Sequence, residues 1–486
     1  MDINLNTLEN TIQRCRERNI IIPTYSEMAH PEKIPTPIKD ELRQIGLWDF
    51  HPRNLFRISW KNEPVEKGGG FGKVNYLEIP SKISGVQARI ILLIGKYFPT
   101  GSHKVGATFG PLVEKLIRGE FDPTKQKVLW PSTGNYCRGG TYDSLLLACP
   151  SIAVLPEGMS KERFQWLKRI GAEIYPTPGT ESNVKEVFDK SYALKNSDPK
   201  GIVVLNQFDE FGNAVWHYAC TGPAIEEVYH EVRSGDQNLT ALFLTQGSAG
   251  TLACGDYLRE NFPQIKICAG EALQCPTLLY NGYGEHRIEG IGDKHIPWIF
   301  NIRNIDLAVG IDDEECLRLI RFFNEYEGKK FLMKKTNIPE EIAARLDLLG
   351  ISAIANVIGC IKTAKYFEMN EKDMIFSIAT DSMELYDSRI IELRKQWGKY
   401  TQIQAAMDYS TCLRNQKIDH MLELSYWDKK RLHNLKYFTW VEQRGKDINE
   451  LNRQWYDDEY WKLKYRSYKN WDKLIRKFNA KTGLLK

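Results

Sequence analysis

The sequence lacks the features of a disulfide-bonded, metal-binding or membrane protein. Its ten cysteines lie between Cys15 and Cys412, form no C-x-x-C pair and stand near no histidine cluster at zinc spacing. Neither a disulfide framework nor a structural metal is therefore predicted. No apolar run approaches the roughly 20 residues that a membrane helix needs, and the opening residues are too polar for a secretory signal. We expect a cytoplasmic protein with no membrane partner and no bound metal.

The chain also lacks a strong excess of charge of either sign. It has 66 Lys and Arg residues against 62 Asp and Glu residues, which gives a net charge of +4 at pH 7. This balance gives no reason to expect nucleic acid or an anionic membrane as a partner. With 486 residues, 42% of them hydrophobic, the chain is long enough for two or three packed units. A small molecule is the expected partner.

Three regions are predicted from changes in composition. Residues 1–50 form a polar, helix-forming extension that ends in the proline-rich stretch "IPTYSEMAHPEKIPTPIKDEL". Residues 51–390 alternate between short apolar runs and amphipathic, helix-length stretches; the runs are "ARIILLIG", "KVLWPS", "SIAVLP", "GIVVLN", "ALFLTQ" and "IKICAG". This alternation predicts βαβ units and an α/β core with mostly parallel sheets.

The third region, residues 391–486, is predicted to be a helical extension rich in tryptophan, tyrosine and lysine. It holds six of the twelve tryptophans. Aromatic and basic residues together can indicate nucleic-acid binding, but acidic residues alternate with them in "YDDEYWKLKYRSYKNWDKL". The balanced charge favours helices that pack their aromatic side chains on the core or on a second subunit.

Three polar segments are candidates for chemistry. In "FPTGSHKVGATFGP", Lys104 follows a turn and precedes small residues, a placement that suits an amine nucleophile only if its surroundings lower its pKa. In "WPSTGNYCRGG", hydroxyls and a carboxamide follow a strand, which is where open α/β sheets bind ligands. In "ALFLTQGSAGTLACGDYLREN", a loop of small residues connects a strand to a helix and can present backbone N–H groups to a phosphate.

The glycine run "EKGGGFGKVNY" does not have the spacing of a P-loop, and no Ser or Thr follows its lysine. We interpret it as a loop without a nucleotide.

In their order and content, these segments resemble the fold-type II pyridoxal-phosphate enzymes, the tryptophan synthase β superfamily, and most closely its cysteine synthase and cystathionine β-synthase branch. The resemblance covers about residues 51–390. Besides "PTGSHK", "STGNY" and "GSAGT", it rests on "LPEGMSKERFQWLKRIGAEIYPTPG", "NQFDEFGNAVWHYACTGPAIEEV", "HRIEGIGDKHIP" and "TDSMELYDS". It implies two α/β subdomains, the smaller and mobile one at about residues 126–225, and pyridoxal 5'-phosphate as cofactor.

The resemblance also implies a role for each matching residue. Lys104 would hold the cofactor as a Schiff base and then move the α-proton, Asn135 would contact the cofactor's 3'-oxygen, and Ser382 would face the pyridine nitrogen. The cofactor phosphate would bind to Gly247, Ser248, Ala249, Gly250 and Thr251. The amino-acid substrate would bind to Ser132, Thr133, Asn135, Tyr136, Gln207 and Gly290.

A serine at the pyridine nitrogen leaves the ring a weaker electron sink than a carboxylate would. This favours β-elimination through an aminoacrylate over transamination. The sequence departs from cysteine synthases where Val105 and Gly106 replace an Asp-Arg pair, where Tyr136 and Cys137 replace Thr and Gly, and where Ala249 replaces a glycine. The bulk of Tyr136 falls where the resemblance places the substrate. The sequence therefore does not determine the leaving group or the nucleophile.

The function implied by the resemblance is β-replacement on a β-substituted L-amino acid. The substrate would be O-acetylserine, O-phosphoserine, serine or cysteine, with sulfide or a thiol as nucleophile and a homodimer as the expected assembly. One alternative is a lyase or dehydratase that releases an oxo acid and ammonia. A second is a non-catalytic, cofactor-binding regulatory subunit.

Overall fold

The computed structural model describes residues 4–132, 134–180 and 183–485. Its strands are β1 (Tyr76–Ile79), β2 (Arg89–Ile94), β3 (Lys127–Pro131), β4 (Ser151–Pro156), β5 (Glu173–Thr177), β6 (Ile202–Val204), β7 (Asn238–Thr245), β8 (Lys266–Ala272), β9 (Leu307–Ile311), β10 (Asp373–Ala379) and β11 (Met421–Glu423).

The α-helices fall into three groups along the chain. Those before β7 are α1 (Leu5–Glu17), α2 (Tyr25–Ala29), α3 (Thr36–Leu42), α4 (Ser81–Ser84), α5 (Lys104–Ile117), α6 (Asn135–Leu146), α7 (Lys161–Arg169), α8 (Val184–Ser197), α9 (Phe211–Trp216) and α10 (Gly222–Val232). Those from β7 to β10 are α11 (Ala253–Asn261), α12 (Thr277–Tyr280), α13 (Asp313–Asn324), α14 (Tyr326–Thr336), α15 (Glu340–Ala344) and α16 (Ile351–Tyr366). Those after β10 are α17 (Asp387–Trp397), α18 (Gln402–Asp408), α19 (Tyr426–Lys436), α20 (Ile448–Tyr456), α21 (Tyr460–Tyr465) and α22 (Tyr468–Thr482).

The strands form two sheets. The larger has the order β1-β2-β10-β7-β8-β9-β11 and the smaller has the order β5-β4-β3-β6. All pairs of the smaller sheet are parallel, and in the larger sheet only the edge strands β1 and β11 run antiparallel to their neighbours. The predicted α/β fold class with two mostly parallel sheets is thus confirmed.

The six apolar runs chosen from the sequence are the six strands β2, β3, β4, β6, β7 and β8. In β2 and β10 nearly every side chain is buried, because helices cover both faces of a parallel sheet. All ten cysteines are buried, and the structure places none of them in a disulfide.

The region after β10 is mostly helical, as predicted, but it also supplies β11, which pairs antiparallel to β9 at the sheet edge. Several of its aromatic residues are buried and pack on the core of the same chain. The indole nitrogen of Trp440 donates a hydrogen bond of 2.8 Å to the carbonyl of Ile296. Lys436 is fully buried and donates to the carbonyls of Trp298 and Phe300.

The last helix, α22, joins the N-terminal segment over helix α5. Asp472 accepts a hydrogen bond of 2.7 Å from the backbone N–H of Tyr25, and the Asn479 carboxamide bonds both the N–H and the carbonyl of Ile22. The Tyr25 ring contacts Phe109 of α5 edge-on, with centroids 6.0 Å apart. Residues from the two ends of the chain therefore support the helix that begins at Lys104.

No single helix among the described residues is long and apolar enough to cross a membrane. One bent pair, residues 340–348 with residues 351–366, satisfies the length and composition test only when the two are taken together.

Candidate functional site

The candidate site lies where parallel strands of both sheets end. Strand β3 leads into Ser132, β7 into Gly247 and β10 into Thr380, while Lys104 begins α5 after β2. Side chains from these four places line two adjoining small cavities, which share Lys104, Gly247, Ser248, Gly290, Ile291 and Thr380. This is the edge at which an open α/β sheet binds its ligand.

Lys104 is held in place by the close packing of its helix. Gly106 lies so near Trp216 that any side chain at this position would overlap the indole. The glycine two residues after Lys104 therefore has a packing reason, because it allows α5 to lie directly against α9. The Lys104 side chain is partly buried and reaches both cavities.

His103 is a site residue that the sequence analysis did not select, although it directly precedes Lys104. It is fully buried, it lines the second cavity, and its Nε2 lies 3.3 Å from Oγ1 of Thr380. Its ring meets His217 at 5.1 Å between centroids. Burial, and secondarily the neighbouring Lys104 cation, hold the pKa of His103 well below its usual range, so the imidazole is neutral at pH 7.

The loop between β7 and α11 lines the second cavity with Gly247, Ser248, Ala249 and Thr251. Gly250 of the predicted set lies outside that lining. Ala249 has a left-handed backbone conformation, with φ of 61°. Glycine, which Ala249 replaces relative to cysteine synthases, adopts this conformation without strain. The Ser248 hydroxyl accepts a hydrogen bond of 3.0 Å from the carboxamide of Asn213. The loop leads into a helix, so its N–H groups and the helix dipole favour an anion.

The predicted substrate residues meet at the first cavity. Ser132, Asn135, Tyr136, Gln207 and Gly290 all line it. Thr133, which the sequence analysis also assigned to the substrate, lies outside the described residues.

Tyr136 has a buried hydroxyl with no hydrogen-bond partner among the residues that the structure describes. Its ring contacts Trp130 at 5.5 Å between centroids. Burial raises its pKa well above the usual range, so the group is a neutral hydroxyl that can donate to a ligand.

Asn135 is fixed by charged neighbours from both sheets. Its Nδ2 donates to Oδ2 of Asp381 at 2.6 Å, and its Oδ1 accepts from Arg138 at 3.2 Å. The same Asp381 oxygen accepts from the Tyr386 hydroxyl at 2.8 Å. Burial raises the pKa of Asp381, while the Arg163 cation and these hydrogen bonds act in the opposite direction.

The predicted ring partner, Ser382, is buried but lines neither cavity. It precedes a short 3-10 turn over residues 383–385, and its carbonyl accepts a hydrogen bond from the N–H of Leu385. Thr380, two residues earlier, lines both cavities. Thr380 is thus a second residue that the sequence analysis missed, and its signal was its position directly after β10.

The residues around the two cavities suit a phosphate-bearing aldehyde cofactor. A side chain at Gly290, whose φ is +93°, would meet nothing within 4 Å, so the glycine faces open space beside Lys104. An amine, the hydroxyls of Ser248, Thr251 and Thr380, and a helix start together supply the groups that such a molecule requires.

A family model described as "Pyridoxal-phosphate dependent enzyme" matches residues 74–329. The chain is 29% identical over 242 residues to a probable cysteine synthase of Bacillus subtilis, covering 50% of this chain and 76% of that protein. It is 25% identical over 327 residues to the cystathionine beta-synthase of Saccharomyces cerevisiae, covering 65% of this chain and 60% of that protein.

Among solved structures, the chain resembles an O-acetylserine dependent cystathionine beta-synthase from Helicobacter pylori. The identity is 26% and the TM-score 0.54, with 65% of this chain and 94% of the other covered. A hydrogen sulfide-producing enzyme from Fusobacterium nucleatum shares the fold, with a TM-score of 0.55 at 23% identity and with 72% and 95% of the two chains covered.

Proposed function

The chain belongs to the pyridoxal-phosphate dependent enzymes, on the branch of the cysteine synthases and cystathionine β-synthases, and from that premise we propose that it replaces the β-group of a small L-amino acid by a thiol or sulfide. Names of relatives support this reaction type. Cysteine synthases, a cystathionine beta-synthase and a hydrogen sulfide-producing enzyme are among the similar proteins.

The lining of the first cavity carries the proposal for the substrate. Lys104 is the only charged side chain among the described residues that line it. The other polar groups are hydroxyls and carboxamides, and Val184, Phe208 and Ile291 supply apolar walls. Arginine often binds phosphoryl groups through bidentate contacts. No arginine is among the described residues that line this cavity. We therefore favour O-acetylserine, serine or cysteine over O-phosphoserine.

Lys104 is the proposed attachment point and base. Pyridoxal phosphate, when bound, withdraws electrons from the α-carbon of the attached amino acid. The Nζ of Lys104 would hold the cofactor before substrate arrives and would accept the α-proton afterwards. The neutral His103 beside it adds no positive charge that would oppose the protonated amine.

The remaining residues would bind and orient. Ser132, Thr133, Asn135 and Gln207 are proposed for the substrate carboxylate, with the Tyr136 hydroxyl as a further donor. The loop over residues 247–251 is proposed for the phosphate, supported by the position of its side chains around the second cavity. Ser382 stays our proposal for the ring nitrogen, with Thr380 as its competitor because Thr380 lies on the cavity wall.

The alternative is elimination without replacement, in which no nucleophile adds at the β-carbon, the unsaturated amino acid is released, and water hydrolyses its imine form to an oxo acid and ammonia. Product analysis separates the two. The purified enzyme is incubated with O-acetylserine, serine and cysteine, with and without sulfide, and oxo acid and thioether or thiol products are quantified. Replacement predicts an amino-acid product that requires sulfide; oxo acid formed at one rate with or without sulfide would contradict it.

The homodimer and the cytoplasmic location also remain proposals. Light scattering of the purified protein measures the first, and fractionation of the source cells measures the second.

A further inference from the structure

Residues 440–446, in the helical region after β10, contact two elements that line the first cavity. One is the loop between β6 and α9, which carries Gln207 and Phe208, and the other is helix α8, which begins at Val184. We call residues 206–210 the substrate loop, because Gln207 is proposed to bind the substrate carboxylate. The contacts described next join this loop to the last part of the chain.

An ion pair connects the two segments. The Nζ of Lys446 lies 2.8 Å from Oδ2 of Asp209, which follows Gln207 by two positions. Both side chains are partly buried, with 32% of the lysine and 19% of the aspartate exposed, so solvent screens the pair less than it screens a surface ion pair. Burial alone would lower the pKa of Lys446, but the Asp209 carboxylate holds that pKa above its usual value.

The substrate loop has few internal bonds and depends on contacts from outside it. The N–H groups of Asp209 and Glu210 both donate to the carbonyl of Asn206. Two ion pairs reach the loop from other elements, Lys446 with Asp209 at 2.8 Å and Lys115 with Glu210 at 3.7 Å. The closer of the two comes from the region after β10.

The backbone around Lys446 is itself fixed to the core. Gly445 has φ of +66°, a left-handed conformation that glycine adopts without strain. The N–H groups of Gly445 and Lys446 donate to the carbonyls of Val441 and Trp440. Since the Trp440 indole bonds to the carbonyl of Ile296, the lysine extends from a fixed point towards the substrate loop.

Ring contacts connect the same segment to the apolar wall of the first cavity. Phe208 meets His295 at 4.9 Å, and His295 meets Trp440 at 5.4 Å between ring centroids. Phe208 and Trp440 belong to one hydrophobic cluster. The guanidinium carbon of Arg444 lies 3.9 Å from the centroid of the Tyr192 ring on α8. The segment therefore supports both elements of this wall.

From these contacts we propose that Lys446 is a positioning residue for the amino-acid substrate, because by holding Asp209 it sets the place of Gln207 in the first cavity. Lys446 lines neither cavity and acts only through the substrate loop. The inference deepens the proposed function and rests on it, since the role of Gln207 is assigned there. It gives the region after residue 390 a part in substrate affinity.

Hydrogen–deuterium exchange of the full-length, cofactor-loaded protein tests the support of the loop directly. Lys446→Met removes the charge and keeps most of the side-chain stem. The amide hydrogens of residues 206–210 are expected to exchange about threefold faster than in the unmodified protein, because the loop opens more often.

Lys127→Met is the matched control. The Lys127 ion pair with Glu173 is also 2.8 Å long, but it lies at the start of β3, at the end of the smaller sheet away from the candidate site. Exchange in residues 206–210 is expected to be unchanged in this variant.

Steady-state kinetics with O-acetylserine and sulfide test the effect on the substrate. Lys446→Met is expected to raise KM for O-acetylserine about threefold to fivefold and to change kcat by less than about twofold, because the lysine positions a binding residue and takes no part in the chemistry. Lys446→Arg retains the charge and is expected to restore both KM and the exchange rate. Asp209→Asn should reproduce Lys446→Met, and the double variant should be no worse than either single one, since both changes remove the same ion pair.

The proposal is overturned if residues 206–210 exchange at the same rate in Lys446→Met and Lys127→Met, or if they exchange faster while KM is unchanged. It is also overturned if Lys446→Arg is as impaired as Lys446→Met. Failure to turn over O-acetylserine would count against the proposed function alone, because the exchange comparison needs no turnover and still decides whether Lys446 supports the substrate loop.

Discussion

The carboxamide of Asn135 donates a hydrogen bond of 2.6 Å to the carboxylate of Asp381 and so joins the two sheets beside the first cavity of the candidate site. Asn135 begins the helix that follows β3 of the smaller sheet, and Asp381 follows β10 of the larger sheet. The residue proposed to contact the cofactor is thus held by a carboxylate across the boundary between the sheets. A rotation of one sheet against the other would have to break this bond.

Lys104→Ala is expected to abolish covalent attachment of the cofactor, because among the described residues no other lysine lines either cavity. The visible absorbance of the linked cofactor should disappear, and borohydride should fix no cofactor to the chain. Peptide mapping after reduction checks this. A labelled peptide containing another lysine would contradict the assignment.

Ser382→Asp is expected to slow β-replacement more than tenfold, because a carboxylate would hold the ring nitrogen protonated and favour competing reactions. Steady-state kinetics and a search for side products measure the effect. The same exchange at Thr380 is the comparison. Unchanged rates in Ser382→Asp together with a slowed Thr380→Asp would transfer the role to Thr380, which lies on the cavity wall.

Tyr136→Phe is expected to raise KM for the amino-acid substrate by about fivefold to tenfold while leaving the free energy of unfolding unchanged or higher, because the lost hydroxyl has no hydrogen-bond partner among the described residues. Tyr142→Phe is the control. The Tyr142 hydroxyl donates to the carbonyl of Asp49, so its loss should cost about 1 kcal/mol of stability without affecting KM. A reversed pattern would exclude Tyr136 from substrate binding.

Glu271 predicts a pH dependence of stability. Its carboxylate is fully buried, and burial raises its pKa to about 8 even though the N–H groups of Leu278 and Leu279 donate to it. The folded protein thus binds this proton more tightly than the unfolded chain does. The stabilisation that the raised pKa of Glu271 contributes to the folded protein is complete below about pH 4.5 and is lost as the pH rises towards 8.

Urea unfolding at several pH values between 5 and 8 measures this. The free energy of unfolding of the unmodified protein should fall more steeply with pH than that of Glu271→Gln, which cannot titrate there. The difference in slope is at most about 1.4 kcal/mol per pH unit. Parallel curves would mean that the pKa of Glu271 is not raised.

Lys436→Met is expected to destabilise the protein by about 1–3 kcal/mol, because the carbonyls of Trp298 and Phe300 and the Gln454 side chain would all lose their donor. Thermal unfolding compares it with Lys473→Met on the exposed face of α22. Equal stability of the two variants would show that the buried Lys436 amine adds nothing to the attachment of residues 426–465 to the core.

The sequence predicts the elements whose signal is local. Six strands follow from short β-branched runs, and Lys104 with the loop over residues 247–251 follows from turn chemistry and family resemblance. Strand β5 was missed because its side chains are largely half-exposed and give no apolar run. Strand β11 was missed because its three residues form a strand only through their pairing with β9.

The parts that could not be predicted depend on contacts between distant residues. Thr380 and Ser382 are both hydroxyl residues just after β10, so the sequence does not distinguish their roles. Only the path of the folded chain after β10 places Thr380, and not Ser382, on the cavity walls. A surface cavity beside α11 likewise combines Arg259, Asn301 and Trp461, which are separated by up to about 200 positions and carry no motif. Sequence patterns report periodicity, whereas such sites arise from packing of the completed fold.

The hydrogen bonds between α22 and the N-terminal segment constrain the order in which the protein can mature during translation. Asp472 and Tyr25 are 447 positions apart, and Asn479 and Ile22 are 457 apart. The ribosome must therefore release nearly the whole polypeptide before the support over α5 can form. A nascent chain that already contains Lys104 and the loop over residues 247–251 still lacks this support, so we expect cofactor to be captured stably only after synthesis is complete.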